Sequence, residues 1–393
     1  MTLYLFTSTY PYGNAESFLE DEIHYLCDVF EKVEVIPFLG NQDLVRLVPQ
    51  NCIVHAPICE KRGIQKLING LYNKDTFLIY WKDFCKKRVF LNGSRLKTWL
   101  ISYINANILL NSDVVKRIFS SVDKHDVCYS YWGKCANILS VVYHGRARFV
   151  SRYHGEWDLW EESSGNYAPI REKETFCLNY ALFISKKGED YFKAKYPHCK
   201  SAVFPLGSKD YGVCMEERDN SVLKIVSCST VYPLKRVDLI FDALNSFDGR
   251  KIEWTHLGGG PNFEELSAKV RTECNPHLTV NLVGMVSHNQ VMNCYKEHQF
   301  NIFINLSTNE GVPVSIMEAT SFGIPIIATD VGGTSEIVQS SVGILLSSNP
   351  TIEEICRTIK DIKDRTFSPR DFWQNHYFAE VNYKKFAHFL TSL

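Results

Sequence analysis

Residues 305–338, NLSTNEGVPVSIMEATSFGIPIIATDVGGTSEIV, decide the fold of this chain. The stretch starts at the end of an apolar run, passes through a polar turn and becomes helical near Pro313. Proline suits a first helical turn because its missing N–H needs no partner there. The helix is predicted to end at Gly323, and a second apolar run follows at 326–328. Together these features predict a strand, a helix and a strand of a parallel α/β sheet.

The same alternation of short apolar runs and amphipathic stretches fills both halves of the 393-residue chain. Strands are predicted at 3–6, 33–37, 127–131, 148–152, 181–185 and 202–205, and then at 223–227, 252–257, 279–282, 302–304 and 326–328. The charged segment 209–221 between the two sets predicts a linker. We therefore expect two doubly wound α/β domains, 1–208 and 222–372, that bind ligands at the carboxyl ends of their strands.

Composition argues against several classes of protein. A formal net charge of −1 gives no basic excess of the kind that nucleic-acid-binding proteins carry. The 13 cysteines are scattered without a CxxC pair, which favours a reducing cytosol and argues against structural zinc. The N-terminal apolar run lacks a basic region before it, so a strand is predicted there rather than a signal peptide. Since no 18 consecutive residues are apolar, we expect a cytoplasmic protein without a membrane span.

Residues 61–100 depart from the α/β pattern, with ten Lys or Arg against two Asp. Aromatic residues are interleaved among these charges, namely Phe77, Tyr80, Trp81, Phe84, Phe90 and Trp99. One interpretation is a helical surface that rests on an anionic membrane, at the inner face of the cytoplasmic membrane, and presents a lipid-linked acceptor. The other is a solvated basic helix pair whose aromatic side chains pack into their own domain. The sequence leaves both open.

Two acidic residues flank the predicted start of the helix. The backbone N–H groups near the helix start and the positive end of its dipole form a site for a phosphate; the residues concerned are Gly311, Val312, Pro313 and Val314. Glu310 stands ahead of this site and Glu318 lies eight positions later, on the order of 10 Å along the helix axis. Carboxylates at that separation can accept hydrogen bonds from the two sugars of a nucleotide sugar. The alternative is a capping acid at Glu310 and a surface residue at Glu318.

The segment NEGVPVSIMEA resembles the E-x7-E signature of family 4 of the retaining glycosyltransferases, which have the GT-B fold. The resemblance implies two Rossmann-like domains that face each other across a cleft, with the nucleotide sugar bound by the second domain. It also implies that Glu310 contacts the transferred sugar and that Glu318 binds the ribose. The C-terminal segment 373–393 is similar to the family's helix that crosses back onto the first domain.

Two further segments of the second half resemble loops of this family. Residues 225–244, IVSCSTVYPLKRVDLIFDAL, are similar to the unit whose loop supplies an Arg and a Lys to the diphosphate. Lys235 matches that Lys, whereas Ser229 and Thr230 stand where the family usually has Arg, and Arg236 is expected to compensate. The segment LGGGP is similar to the family's second glycine loop, so Gly258 and Gly259 are expected to let the backbone approach the donor.

In the first half, SRYHGEWD at 151–158 resembles the family's HG-x-x-D segment. This resemblance implies that His154 projects into the cleft near the sugar, with Asp158 on the acceptor side. For a lone His, the alternative is a core residue whose ring is satisfied by the backbone.

Residues 13–17, GNAES, match the position of the family's first glycine loop, which borders the acceptor and the phosphate. Gly13, Asn14 and Glu16 are therefore expected on the acceptor side, although the usual double glycine is missing. Ser17 can alternatively be a helix N-cap, with Glu20 at the capping-box position.

These residues predict an enzyme that transfers a hexose-type sugar from a UDP- or GDP-sugar to a hydroxyl of a glycan or lipid-linked acceptor. The resemblance implies retention of anomeric configuration, without a metal or another cofactor. Glu310, His154 and Lys235 are the expected catalytic residues, and bacterial polysaccharide or O-antigen synthesis is the expected role. Two alternatives remain, a sugar-nucleotide epimerase or hydrolase of the same fold and a non-catalytic nucleotide-sugar-binding scaffold.

Overall fold

The computed structural model describes residues 1–13, 16, 18–40, 46–59, 70, 72–214, 221–362 and 365–393. These residues form two compact units. Unit 1 comprises Met1–Phe204 and Tyr383–Leu393, and unit 2 comprises Pro205–Asn382. Each unit contains one parallel sheet whose strands are connected largely through helices, which confirms the predicted α/β class with two Rossmann-like domains.

Unit 1 is built on a seven-stranded parallel sheet in the order β3-β2-β1-β4-β5-β6-β7. The strands are β1 Thr2–Thr7, β2 Lys32–Pro37, β3 Cys52–Val54, β4 Val127–Ser130, β5 Arg148–Tyr153, β6 Tyr180–Phe183 and β7 Ser201–Val203. The strand order reverses between β1 and β4. Because a crevice opens at such a switch point, the loops that follow these two strands are the natural place for a ligand.

Helices cover both faces of this sheet. They are α1 Leu19–Val29, α2 Lys74–Lys86, α3 Gly93–Asn111, α4 Asp113–Ser121, α5 Asn137–Val142, α6 Glu156–Leu159, α7 Arg171–Thr175 and α8 Lys186–Lys195. Alternate strand residues point to opposite faces, so Leu3 packs with α1 and with Phe386, whereas Tyr4 packs with α2, α3 and α4. The short apolar runs of the sequence follow from this burial on both faces.

Unit 2 is built on a six-stranded parallel sheet in the order β10-β9-β8-β11-β12-β13. The strands are β8 Leu223–Cys228, β9 Ile252–Leu257, β10 Leu278–Gly284, β11 Ile302–Asn305, β12 Ile326–Thr329 and β13 Gly343–Leu346. The order reverses between β8 and β11. The loop after β8 and the loop after β11 therefore flank the switch point of this unit.

The helices that follow these strands are α9 Val237–Asn245, α10 Phe263–Glu273, α11 His288–Glu297, α12 Val314–Ser321, α13 Thr334–Ile337, α14 Ile352–Asp361 and α15 Pro369–His376, and α16 Ala379–Thr391 comes after them. Helices α9, α10 and α14 pack in one hydrophobic cluster with the buried Trp254. The last residues of α16 belong to unit 1. There Phe386 contacts Tyr129, and Phe389 contacts Tyr180.

The observed elements differ from the predicted ones at four places. Strands β3 and β13 are not among the predicted strands, because edge strands of three and four residues are too short to show a period of two. The division between units lies after Phe204 rather than after residue 208. Ser208 belongs to unit 2 because its N–H donates to Tyr377 O and its hydroxyl accepts from Trp373 Nε1. For the same reason the chain rejoins unit 1 at Tyr383 and not at residue 373.

Candidate functional site

The two loops at the switch point of unit 2 are joined by an ion pair. Lys235, in a short 3₁₀ turn after β8, places its Nζ 2.6 Å from Glu310 Oε1, in the loop after β11. The Glu310 side chain is 5% exposed, and Asn305 Nδ2 lies 3.4 Å from the same oxygen. The sequence prediction singled out Lys235 and Glu310 separately, and the structure brings them together.

Arg236 serves the loop rather than an open anion site. Its Nε donates to Leu306 O at 2.5 Å, and its Nη2 donates to Ser307 O at 3.0 Å and to Ser348 O at 2.9 Å. Its Nη1 donates to Asn349 Oδ1 at 3.1 Å. Because these contacts occupy the guanidinium, the expectation that Arg236 replaces the missing phosphate-binding Arg does not match its placement. Arg236 instead fixes the strand end from which Glu310 follows.

The start of α12 presents backbone N–H groups next to Glu310. Pro313 is the N-cap, with extended backbone, and the helix begins one residue later than the predicted proline start. The N–H groups of Ile316 and Met317 already bond to Pro313 O, so those of Val314 and Ser315 precede the intrahelical bonds. Gly311 and Val312 complete the turn between Glu310 and the helix. Backbone N–H groups at a helix start can bind an anion, and the phosphate expected here from the sequence stays a prediction.

Glu318 lies on α12 with a partly buried side chain, and it contacts a residue of another helix. His288 Nε2 lies 2.8 Å from Glu318 Oε1, and His288 itself is largely exposed at the first position of α11. Such a contact is compatible both with a ligand-binding role for Glu318 and with the alternative of a surface residue. A carboxylate held at the surface by an imidazole is available to accept hydrogen bonds from ribose hydroxyls.

The backbone of the loop after β12 packs closely against the Glu310 loop. A Cβ on Gly332, whose φ is +53°, would lie 1.6 Å from Glu310 O, and Gly333 N–H donates to Gly311 O at 2.7 Å. Only glycine at 332 lets the loop after β12 touch the Glu310 loop. The Glu310 loop and the loop after β12, which are close in sequence, therefore also pack against each other in space.

Gly258 and Gly259 make a similar contact between protein loops. A Cβ on Gly258 would lie 2.0 Å from Ser229 O, and one on Gly259 would lie 3.2 Å from Met285 N. The space that these glycines leave is thus filled by the protein backbone. Packing of the loop after β9 on the loops after β8 and β10 thus requires little space at these glycines, and their expected approach to the donor stays a prediction.

His154 is held in unit 1 by the end of β4. Its Nε2 lies 3.0 Å from Tyr131 O, and its ring packs between the rings of Tyr131 and Trp132 at 4.6 and 4.4 Å. Burial, reinforced by the nearby Arg152 charge, holds the pKa of His154 well below its usual range. The imidazole is therefore neutral at pH 7, and its ring donates from Nε2 to the carbonyl.

Asp158 lies beneath the His154 loop and not on a surface that an acceptor can reach. Its carboxylate is fully buried and accepts from the N–H groups of His154, Gly155 and Gly133 at 3.0 to 3.2 Å. Burial raises the pKa of Asp158 to about 6. The predicted acceptor-side role does not match this position, and Asp158 instead fixes the loop that carries His154.

Glu16 has a comparable supporting role at the end of β1. Its carboxylate accepts from the N–H groups of Ser8, Thr9 and Tyr10 at 2.6 to 2.9 Å and from Trp132 Nε1 at 2.5 Å. These contacts leave it occupied by the protein, contrary to the expected contact with an acceptor. Gly13 is exposed with φ +69°, whereas Asn14 and Ser17 lie outside the described residues.

Three contact residues were not predicted from the sequence. Asn305 and His288 touch the two predicted acids of unit 2, and Trp132 connects Glu16 to His154. Asn305 was detectable as the polar end of an apolar strand, and His288 as the residue after the helix-capping Ser287. Nothing in the sequence pattern around Trp132 points to Glu16, which is 116 residues away.

Comparisons with known proteins agree with this geometry. Residues 216–377 match the family described as "Glycosyl transferases group 1". The O-antigen biosynthesis glycosyltransferase WbnH of Escherichia coli is 33% identical over 92 residues, a match that spans only 23% of this chain and 24% of that relative. The lipopolysaccharide 1,6-galactosyltransferase of Salmonella typhimurium is 28% identical over 274 residues, which cover 65% of this chain and 73% of that relative.

Solved structures share the fold over the whole chain. The lipopolysaccharide outer core galactosyltransferase WaaB, in its apo form, superposes with a TM-score of 0.67 at 16% identity, with 100% of both chains covered. Anabaena Alr3699/HepE in complex with UDP-glucose superposes with a TM-score of 0.62 at 14% identity, again with 100% of both chains covered. Residues 216–377 are thus similar to the glycosyl transferases group 1, and the architecture shared over the whole chain is the GT-B fold.

Proposed function

We propose that this chain transfers a hexose-type sugar from a nucleotide diphosphate sugar to a hydroxyl of a glycan or lipid-linked acceptor. The observation that carries the proposal is the 2.6 Å ion pair of Lys235 and Glu310 at the switch point of unit 2. The donor bond that breaks joins an anionic phosphate to a sugar that carries hydroxyls. A cation can bind the phosphate, and a neighbouring carboxylate can accept hydrogen bonds from the sugar hydroxyls. The match of residues 216–377 to the glycosyl transferases group 1 supports the same class of reaction.

In the proposed donor complex, the diphosphate lies at the start of α12. The N–H groups of Val314 and Ser315 donate to it, and the Lys235 ammonium exchanges Glu310 for a phosphate oxygen. The Glu310 carboxylate then accepts hydrogen bonds from hydroxyls of the sugar. In the absence of the donor, Lys235 and Glu310 compensate each other's charge. This pairing matters because burying a carboxylate without a cation is unfavourable.

The proposed reaction is a displacement at the anomeric carbon. The bond from this carbon to the β-phosphate oxygen breaks, and a bond to the acceptor oxygen forms. The acceptor proton passes to a phosphate oxygen of the departing nucleoside diphosphate. Lys235 and the N–H groups of α12 stabilise the charge that develops on the phosphate. Retention, by attack on the same face without a covalent enzyme intermediate, follows from the resemblance to the E-x7-E family.

The ribose of the donor is assigned to Glu318, which His288 holds in place. UDP is the nucleotide that we favour, because a structure with this fold is described as a complex with UDP-glucose. The sugar is then a hexose such as galactose, since two similar proteins are described as galactosyltransferases.

His154 is proposed to contact the sugar as a neutral group in unit 1. Its Nε2 hydrogen bond to Tyr131 O leaves Nδ1 as an acceptor in the neutral tautomer. A neutral imidazole that is fixed by two aromatic rings can orient a sugar hydroxyl without moving.

The acceptor is proposed to be presented at an anionic membrane surface. On α2, Lys74, Phe77, Leu78, Trp81 and Lys82 are exposed at helical spacing, which places apolar and basic side chains on one face. Trp81 is 52% exposed, and Leu91 in the following 3₁₀ turn is 69% exposed. Such a mixed face binds anionic lipid through both buried apolar area and charge.

Both interpretations of residues 61–100 draw support from the described part of this region, 70 and 72–100. Tyr80 is buried in the domain core, where Trp99 Nε1 donates to Tyr80 O and Phe84 packs on Trp99. Phe77, Trp81 and Phe90 are exposed instead. Within the described residues, no helix is both long and apolar enough to cross a bilayer. Contact with the membrane is therefore proposed at the surface only.

The biological role that we infer is bacterial O-antigen or lipopolysaccharide synthesis at the cytoplasmic face of the membrane. The two relatives named above are described by O-antigen and lipopolysaccharide biosynthesis. A lipid-linked acceptor would be consistent with the exposed aromatic and basic face of α2.

A panel of nucleotide sugars tests the proposal. UDP-galactose, UDP-glucose and GDP-mannose are compared for thermal stabilisation, and a donor at 100 times its Kd is expected to add about 2.7 kcal/mol to the unfolding free energy. Release of nucleoside diphosphate is then measured with and without a glycan or lipid-linked acceptor. Release that requires acceptor supports transfer. Equal release without acceptor indicates a hydrolase, altered sugar without release indicates an epimerase, and binding without turnover on any acceptor indicates a scaffold.

A further inference from the structure

Unit 1 contains a cavity of about 280 Å³ beside its own switch point. Ser8 after β1, Leu39 after β2 and Lys134 after β4 line its base, and α3 and the segment 168–174 form its walls. The cavity therefore lies at the carboxyl edge of the sheet, where α/β domains bind ligands. None of its lining residues belongs to the Lys235–Glu310 site of unit 2.

Charged side chains meet at one end of this cavity. Arg171 is 2% exposed, and its Nε lies 3.3 Å from Glu174 Oε2 while its Nη2 donates to Asp158 O at 2.8 Å. Lys134 lines the same end. Two cations, Arg171 and Lys134, and one carboxylate, Glu174, thus lie among the residues that line the cavity.

Three buried polar atoms of Arg171 and Asn137 have no hydrogen-bond partner among the described residues. They are Arg171 Nε, Arg171 Nη1 and Asn137 Oδ1. Asn137 is 3% exposed, and its Nδ2 already donates to Gly133 O at 2.7 Å and to Glu174 Oε2 at 3.2 Å. Buried polar atoms without partners are unfavourable, and a ligand that accepts from the guanidinium and donates to the amide oxygen satisfies both.

The electrostatics of the wall agree with an anionic occupant. Burial and the Arg171 charge lower the pKa of Lys134 to about 8. Burial raises the pKa of Glu174 to about 7, against the opposing effects of Arg171, Asn137 and Lys134. Asp158 and Glu161 also act on Lys134 and raise its pKa, without cancelling the effect of burial. A bound anion next to Lys134 and Arg171 offsets the cost of burying both cations.

Apolar side chains form much of the remaining wall, beside the polar residues Thr98, Ser102 and Asn105. The apolar residues include Phe38, Ile101, Ala106, Ile138 and Ala168. Apolar side chains beside a few convergent polar groups are typical of sites for small organic ligands, and a bare inorganic anion would leave this wall uncovered.

We propose that this cavity binds a sugar bearing an anionic group, with Arg171 and Lys134 contacting the carboxylate or phosphate and Asn137 accepting a hydroxyl. The identification of that sugar as part of the acceptor rests on the proposed transferase function. Binding of the anionic sugar in this cavity is independent of the proposed transferase function.

Calorimetric titration at 0.15 M salt tests this site, because such salt screens exposed charges over about 8 Å. The probes are glucose 6-phosphate, glucuronate and glucose, which differ in the anionic group. At least one anionic sugar is expected to bind ten times more tightly than glucose, and the better one identifies phosphate or carboxylate as the preferred group. Equal binding of glucose, or no binding of either anionic sugar, overturns the proposal.

Variants separate this site from a general charge effect. Lys134→Met is expected to weaken binding of the anionic sugar at least tenfold. The double variant Arg171→Met with Glu174→Met is expected to do the same, and it avoids leaving one buried charge uncompensated. Lys173→Met, at an exposed lysine of α7, is the matched control and should leave the affinity unchanged. Equal losses in the control would overturn the proposal.

UDP binding distinguishes failure of this site from failure of the proposed function. Lys134→Met should bind UDP as the unchanged protein does. If anionic sugars bind but no nucleotide does, the transferase proposal fails while the cavity stands. If nucleotide binds and anionic sugars do not, the cavity proposal fails alone.

Discussion

Lys235 Nζ lies 2.6 Å from Glu310 Oε1 and joins the loop after β8 to the loop after β11. The two residues are 75 positions apart, and they meet because the strands that precede them are neighbours at the point where the strand order reverses. Asn305 contacts the same carboxylate from the end of β11. Unit 2 therefore holds a charged pair in the place where α/β sheets bind ligands.

Glu310→Gln is expected to lower turnover on the order of a hundredfold, a typical loss for one preorganised catalytic group. The amide keeps the size of the side chain but loses its charge toward the sugar hydroxyls. The measurement is acceptor-dependent release of nucleoside diphosphate at saturating donor. The melting temperature serves as the control and should change little, since the amide oxygen can still accept from Lys235. Turnover close to normal would remove Glu310 from the site.

Glu318→Ala is expected to raise the donor Kd more than it lowers kcat. A hydrogen bond to a charged group contributes about 1.5–3 kcal/mol, so the affinity should fall by roughly 10- to 150-fold. Calorimetric titration with UDP gives the value. His288→Ala is the matched control, because it removes the partner of Glu318 and keeps the carboxylate. An unchanged affinity in Glu318→Ala would contradict the assignment to ribose.

Arg236→Lys distinguishes a positioning role from phosphate binding. Lysine keeps the charge, but it cannot reproduce donation to Leu306 O, Ser307 O and Ser348 O at once. We expect a loss of about 1–3 kcal/mol in the unfolding free energy, because buried carbonyls lose donors.

Kinetics of the same variant provide the second readout. A displaced Glu310 loop should lower kcat for every donor tested and leave the salt dependence of donor KM unchanged. A steeper loss of donor affinity at high salt, with normal stability, would instead indicate direct contact between Arg236 and the phosphate.

Gly332→Ala is expected to destabilise unit 2 and to displace the Glu310 loop. The new Cβ would lie 1.6 Å from Glu310 O, so one of the two loops must move, at a cost of roughly 1–3 kcal/mol or more. Gly284→Ala is the matched control. Its φ is also positive, at +80°, but its Cβ would meet nothing closer than Phe263 Cζ at 3.7 Å. Denaturant unfolding should separate the two variants, and equal losses would show that backbone conformation alone explains the effect.

Removal of the exposed aromatic and basic residues of α2 should weaken binding to anionic liposomes. Each basic residue near an anionic surface contributes about 1 kcal/mol, so Lys82→Gln should lower the partition coefficient roughly fivefold. Trp81→Ala should lower it as well, through lost apolar burial. Lys116→Gln, on α4, is the control for charge alone. Co-sedimentation that does not depend on anionic lipid would exclude the membrane proposal.

Much of the fold follows directly from the sequence pattern. The runs predicted at 3–6, 252–257 and 326–328 each coincide with a strand, because both faces of a parallel sheet are buried and most residues of such strands are therefore apolar. The edge strands β3 and β13 were missed, since a strand of three or four residues has too few positions to show a period.

The site was predictable only in part. Glu310, Glu318 and the start of α12 lie within one short stretch of chain, and the spacing along a helix relates them without further information. Their partners come from elsewhere. Lys235 was recognised by its loop, but its contact with Glu310 depends on which strands are neighbours.

The sequence by itself determined the two α/β domains and the order of acid, glycine turn and helix at residues 310–318. Tertiary structure decided which charged groups remain available to a ligand. Backbone groups of their own loops or of distant ones bind the side chains of Glu16, Asp158 and Arg236. Glu310 instead contacts the long side chain of Lys235, which can exchange this partner for a ligand. The physical reason is that local spacing fixes helices and strands, but a charge is satisfied by whatever the packing of distant segments brings within hydrogen-bond distance.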